Sequence, residues 1–155
     1  MFLPLIAETA QLNAFVTVDA GMEQSTRIGE RSWLLAHSHI GHDAQIGDDC
    51  ELAPGTVIGG YAILEDEVHC GIGVLVLPRR RVGKGARLGA GAVVTKDVPA
   101  GEIWVGNPAK RLVTYTEPPS TASEEEGWEE LALARDIDPA WIDWWHSRQP
   151  RLPAA

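Results

Sequence analysis

From Ile28 onward an apolar residue returns every six positions: Ile28, Leu34, Ile40, Ile46, Leu52, Ile58, Leu64, Cys70, Val76, Val82, Leu88 and Val94. Four places after most of them stands a small or β-branched residue, from Ser32, Ser38 and Ala44 through to Ala92 and Val98, with Arg80 the exception. Glycine is frequent directly after the apolar position, at 29, 41, 47, 59, 71, 83 and 89. A period of six fits neither an amphipathic helix nor an alternating strand. It fits short strands that turn a corner every six residues, three to a coil, and so predicts an all-β parallel β-helix.

The pattern carries its own physics. Each apolar residue points into a triangular prism and stacks on the residue eighteen places on, about 4.8 Å away along the axis. The small residue fits the narrow corner, and glycine is expected to supply the backbone freedom of the turn. Ile6, Leu12 and Val18 repeat the spacing more loosely, and the count slips by four residues before Ile28, which predicts a loop near Gly21. Arg80 in a small-residue corner implies a bulge or an exposed turn.

Outward positions fall into columns. His39, Val57, Leu75 and Val93 form a mostly apolar stripe, which wants a partner; a threefold interface would cover it and leave clefts between adjacent prisms. The columns Trp33–Glu51–His69–Arg87 and Gln45–Ile63–Arg81–Pro99 are more polar and are expected to face solvent.

Composition adds an asymmetry. The net charge is −9, but residues 79–111 hold eight bases against two acids. That suggests a local anion-binding surface on an acidic protein, or an accident of surface charge. Cys50 and Cys70 fall on inward positions and read as core residues in a reducing compartment, neither a disulfide nor a metal pair. MFLPLIAETAQL has no basic start and too short an apolar run for a signal peptide or membrane span, so a cytoplasmic protein without a nucleic-acid partner is expected. The prism is expected over 1–111 and a linker over 112–123. An acidic, Trp-rich helical tail follows over 124–155, opened by a Ser123/Glu126 capping box and carrying Trp141, Trp144 and Trp145 on one face.

Chemistry concentrates in the run AHSHIGHD over 36–43. The repeat places Gly60 directly over His42 in the next coil and Pro78 over that. A glycine there leaves a notch beside an imidazole, where His42 could take a proton from an attacking hydroxyl or amine. The notch amide could then stabilise an oxyanion. Asp43 is placed to hold the ring, although neighbours on a strand point oppositely. Surface histidines packed at a subunit contact are the plainer alternative.

The stretch AHSHIGHDAQIGDDCELAPGTVIGG, with VTVDAGMEQSTRIG before it and GAGAVVTKDVPAGEIWVGNPAKRL after it, resembles the hexapeptide-repeat acyltransferases. These include lipid A acyltransferases and the acetyltransferases of nucleotide amino sugars. The resemblance covers roughly residues 12–112 and implies a left-handed β-helix, a homotrimer, and acyl transfer from acetyl-CoA or another acyl-CoA to a sugar or nucleotide sugar. It implies His42 as general base, Asp43 as its acidic neighbour and Gly60 as the oxyanion amide. It implies His39 near the acceptor, with Tyr61 where O-acylating relatives carry a further histidine. The donor's path would run by Gly89, Ala90 and Ala92. Arg79, Arg80, Arg81, Lys84, Lys96, Lys110 and Arg111 would meet coenzyme A phosphates or, instead, an acidic acyl carrier protein. No metal is expected. Two competing readings are a γ-class carbonic anhydrase-like enzyme, on the His37-x4-His42 spacing, and a non-catalytic trimerisation prism.

Overall fold

The structure, a computed structural model, describes residues 1–112; the linker and tail expected beyond it lie outside the described residues. Seventeen short strands follow one another, nearly all of two residues. They sort into three sheets. The first is β1(Leu5–Ile6), β4(Arg27–Ile28), β7(Gln45–Ile46), β10(Ile63–Leu64) and β13(Arg81–Val82). The second begins with β2(Gln11–Leu12), β5(Trp33–Leu34), β8(Glu51–Leu52), β11(His69–Cys70) and β14(Arg87–Leu88), and is closed by β16(Ile103–Val105) and the antiparallel β17(Lys110–Arg111). The third is β3(Thr17–Val18), β6(His39–Ile40), β9(Val57–Ile58), β12(Leu75–Val76) and β15(Val93–Val94). Every third strand is a neighbour, in parallel register, as a six-residue repeat on a three-sided prism demands.

The apolar ladder is the core. Leu34, Ile40, Leu52, Ile58, Leu64, Val76 and Val82 are fully buried, each such burial contributing about 1.5–3 kcal/mol. Cys50 and Cys70 are buried free thiols, and burial pushes the Cys50 thiol up to about 11, so neither is poised as a nucleophile. The first coil is different: Ile6 and Leu12 have one open side, since among the described residues no coil lies beneath them.

The four-residue slip is present. Ile6 pairs with Ile28, Leu12 with Leu34 and Val18 with Ile40, each 22 apart instead of 18. The extra residues form a loop whose Gly21 bridges back to Phe2.

Three expectations change. Val98 pairs with Val82, so the last coil is two residues short. Val98 therefore takes an inward apolar place, and Pro99 does not stack on Arg81. Arg80 makes no bulge: its carbonyl accepts from Ile63 N–H at 2.9 Å, in register. Its side chain reaches toward Asp97 on the shortened coil, with Nη1 3.8 Å from Oδ1.

The third change concerns glycine. The glycines directly after the apolar position are needed for close approach and do not have positive φ: a Cβ on Gly41 would lie 2.7 Å from Gly60 N, and one on Gly71 2.7 Å from Ala90 N. The left-handed residue comes two places later, at every corner from 31 to 91. Gly55, Gly73, Gly85 and Gly91 fill four of these places, while Arg31, His37, Asp43, Asp49, Tyr61, Glu67 and Arg79 fill the others.

Candidate active site

His42, Tyr61 and Arg79 stand on three successive coils at the corner between the third and first sheets. His42 lies just before the left-handed residue of its corner, and that φ of 62° at Asp43 answers the objection that neighbours point oppositely. The turn brings both side chains together, with His42 Nδ1 2.9 Å from Asp43 Oδ2. Asp43 is wholly buried, the imidazole about 38 % exposed.

Asp43 is held by the loop of the four-residue slip. Its Oδ1 accepts from Glu23 N–H at 2.8 Å and Gln24 N–H at 2.7 Å; its Oδ2 accepts from Met22 N–H at 2.9 Å. Burial alone would raise this carboxyl, but the amides of Met22 and Gln24, the His42 ring and the Glu23 amide outweigh it and hold the acid well below the usual carboxylate range. Asp43 N–H in turn donates to Thr26 Oγ1, at 2.9 Å. An ionised Asp43 can only accept, so Nδ1 carries the proton of the neutral ring and Nε2 presents its lone pair to the outside.

Gly60 is the counterpart of this arrangement. A Cβ there would sit 2.7 Å from His42 Nε2 and 2.9 Å from Cε1. The space over Gly60 is thus filled by the imidazole itself, which lies across the next coil, and is not an empty notch. Among the described residues the N–H groups of His42 and Gly60 donate to no protein acceptor. Tyr61 meets the His42 ring edge-on, with centroids 5.1 Å apart. The Arg79 guanidinium lies 4.2 Å from the Tyr61 ring centroid, a cation–π contact. Burial, then the charges of Asp43 and Glu23, push the Tyr61 phenol up.

His39 sits beside this corner on the face of the third sheet, tied to the first coil by Thr17 Oγ1 at 2.8 Å from Nδ1. His37 stands at another corner, stacked on Phe15 with centroids 5.0 Å apart. The His37–His42 pair of the carbonic anhydrase reading therefore does not converge. Among the described residues no three His, Cys, Asp or Glu side chains gather as metal ligands.

The basic set does not form one patch. Six residues of chain change the face, so bases adjacent in sequence part company in space. Arg81 lies on the first sheet and is spent on Glu65, with Nε 2.9 Å from Oε1. Lys84, at the corner between the first and second sheets, pairs with Glu67 at 3.0 Å. Arg111 pairs with Glu102 at 3.2 Å. Lys96 and Lys110 line a cleft of about 380 Å³ with Trp104 and Pro108; of the cofactor-binding candidates only Arg79 touches the His42–Tyr61 group. Gly89, Ala90 and Ala92 form a corner between the second and third sheets. There Ala92 is a core residue, the Gly89 N–H is bonded to Trp104 O at 2.8 Å, and Ala90 N–H has no acceptor among the described residues.

Sequence reasoning brought His42, Asp43 and Gly60 to one corner, where the structure has them, but missed the amides of Met22, Glu23 and Gln24 and the hydroxyl of Thr26. The signal was the slip in the count: four surplus residues in an otherwise unbroken repeat.

The comparisons agree with this architecture. Residues 25–60 match the family model described as bacterial transferase hexapeptide (six repeats). The bifunctional protein GlmU of Rubrobacter xylanophilus is 36% identical over 113 residues, covering 68% of this chain and 23% of that protein. A UDP-3-O-acylglucosamine N-acyltransferase of Methylorubrum extorquens strain PA1 is 33% identical over 111 residues, covering 72% and 32%. Among solved structures, WeeI from Acinetobacter baumannii AYE superposes with a TM-score of 0.59 at 32% identity, covering 72% of this chain and 55% of that one. The chain spans a quarter to a third of the length of these two curated relatives. The chain belongs to the hexapeptide-repeat superfamily, whose left-handed β-helix fits its prism of about six turns.

Proposed function

We propose that the chain is an acyltransferase that moves an acetyl or short acyl group from a coenzyme A thioester to a nucleophile on a nucleotide sugar. The observation that carries this reading is the His42–Asp43 pair, a half-exposed imidazole oriented by a buried carboxylate that four donors keep ionised. Nε2 removes the proton of the acceptor's N–H or O–H as the heteroatom attacks the thioester carbon. The carbon–sulfur bond then breaks, and the imidazolium returns that proton to the leaving thiolate. The Gly60 N–H, which has no acceptor among the described residues, is the candidate donor to the tetrahedral oxyanion. No covalent relay is invoked, since both thiols are buried. Similarity to a UDP-3-O-acylglucosamine N-acyltransferase supports the nucleotide-sugar acceptor. The apolar stripe Val57–Leu75–Val93 supports assembly into a homotrimer, with the His42 corner in the cleft between two prisms.

The test is release of free thiol from a series of acyl-CoAs, and from acyl carrier protein, in the presence of nucleotide sugars. We expect His42→Ala to lower turnover by about 10²–10⁴-fold with the fold retained; unchanged turnover would remove the mechanism. Sedimentation should give three copies per particle.

A further inference from the structure

We propose that Arg79, braced on the Tyr61 ring, seats the diphosphate of the acceptor, so that the chain selects sugars that carry one. This deepens the acyltransferase reading and rests on His42 being the base. Three arginines follow one another at 79–81, and two of them are spent. Arg80 turns to Asp97 at 3.8 Å, and Arg81 to Glu65 with Nε 2.9 Å from Oε1. Arg79 is exposed and makes no ion pair among the described residues. Asp43, the buried acid of its corner, is already engaged by backbone amides and the His42 ring. What holds Arg79 is an aromatic ring. Its Cζ lies 4.2 Å from the Tyr61 centroid, and that ring in turn meets His42 with centroids 5.1 Å apart. Tyr61 and Arg79 both take the left-handed conformation, with φ 58° and 62°, at a place that glycine fills at 55, 73, 85 and 91. A Cβ is costly there, so these two side chains are kept against the backbone's preference.

A guanidinium carries its N–H donors in a planar fork that matches phosphate oxygens in pairs, and here no carboxylate takes them. Its distance from the base decides which phosphate fits. Arg79 stands two coils above His42, on the order of 10 Å along the corner. In acetyl-CoA the whole pantetheine arm separates the thioester from the first phosphate. With the thioester carbon beside His42, that phosphate lies far beyond Arg79. In a nucleotide sugar only the pyranose ring and the glycosidic oxygen separate a ring nucleophile from the first phosphorus, a span comparable with the gap. The geometry therefore favours the acceptor's diphosphate over the phosphates of coenzyme A. With the diphosphate on Arg79 and the sugar over Tyr61, the nucleophile comes within reach of His42 Nε2.

The experiment takes whichever nucleotide sugar releases thiol fastest from acetyl-CoA and compares it with the methyl glycoside of the same sugar, which lacks the diphosphate. Wild type is expected to prefer the nucleotide sugar. Arg79→Gln should lower that ratio of kcat/KM at least about tenfold, the value of one charge-assisted hydrogen bond. The loss should fall on KM for the nucleotide sugar and not on KM for acetyl-CoA. Arg79→Lys, which keeps the charge without the fork, should restore part of it. An unchanged ratio in Arg79→Gln would overturn the proposal, and so would a loss confined to KM for acetyl-CoA, which would give Arg79 to the donor. In either case, loss of transfer in His42→Ala would leave the general base standing and remove only the phosphate seat. If no sugar is turned over, calorimetry with UDP-glucosamine decides: weaker binding to Arg79→Gln than to wild type supports the seat, while equal affinity, or no binding to wild type, removes it.

Discussion

Two corners of the same prism use their acids differently. Between the first and second sheets, carboxylates are spent on backbone. Asp48 accepts from Glu30 N–H at 2.9 Å, Asp66 from Asp48 N–H at 3.0 Å, and Glu65 from Lys84 N–H at 2.7 Å. Ion pairs such as Arg31–Asp49, at 2.6 Å, run along the same edge and tie coil to coil. Between the third and first sheets the amides converge. There a loop's backbone is spent on one carboxylate, Asp43, and the corresponding N–H groups of His42 and Gly60 stay uncommitted. The repeat makes the corners equivalent in backbone; they differ in where the acids' donors lie, on corner amides of the neighbouring coil in the one and on an inserted loop in the other. The first corner is a seam. The second has unspent donors and a lone pair, and these are what chemistry needs.

Glycine substitution should separate the two corners most clearly. Gly60→Ala puts a methyl 2.7 Å from His42 Nε2, and the imidazole, being the end of a side chain, can swing aside. Turnover should fall about a hundredfold, the cost of displacing a catalytic group by an ångström, while the melting temperature stays near wild type. Gly47→Ala meets backbone instead, with Asp66 N at 2.7 Å and Glu65 C at 2.8 Å. That variant should lose stability, read as a lowered melting temperature, and keep its turnover per folded molecule. If Gly60→Ala melted early with normal turnover, the two corners would not differ in the way described.

Most of the prism was legible because one rule, six residues per face, places every inward residue from Ile28 to Val94. The same rule put Gly60 over His42 without any structure. It failed where the chain breaks it. The short last coil moved Val98 inward and Pro99 off its column, because two missing residues shift the register and leave no mark in residue type. The clamp on Asp43 was hidden for a related reason: the slip before Ile28 was visible, but main-chain amides have no signature in a sequence. The basic segment misled because charge was summed along the chain, whereas Arg79, Arg81, Lys84 and Lys110 belong to different corners and faces. Four of the segment's eight bases, Arg80, Arg81, Lys84 and Arg111, are paired with Asp97, Glu65, Glu67 and Glu102.

Acid should probe the same contrast with a smaller effect. Asp43 is held below its unfolded value, so its contribution to stability is fully present above about pH 4 and is lost as pH falls through the folded value. Asp49 is lowered too, chiefly by its hydrogen bond to Arg31, and has the same sign, but it is half exposed and screened by solvent. Melting curves from pH 7 to pH 2 should therefore flatten below pH 4 more in Asp43→Asn than in Asp49→Asn. Equal slopes would mean that the buried clamp is no stronger than the surface pair.

The smallest effect concerns the left-handed position that every corner shares. In the column of the seam, Gly85 holds it with φ 67°, while Glu67 one coil below holds it with φ 61°. A side chain with a Cβ costs about 1 kcal/mol there relative to glycine, against which glycine's freer unfolded chain offsets up to about 1 kcal/mol. Glu67→Gly also gives up the ion pair to Lys84, which is exposed on both sides and screened by solvent. The net change in stability should stay within about 1 kcal/mol of zero, measured by urea denaturation, with no change in turnover. At the His42 corner the same substitution has a different meaning. Tyr61→Gly would relieve the same backbone cost at φ 58° but would remove the ring between His42 and Arg79. Its stability should change as little as that of Glu67→Gly, while turnover falls, because at this corner the left-handed residue is kept for what its side chain touches.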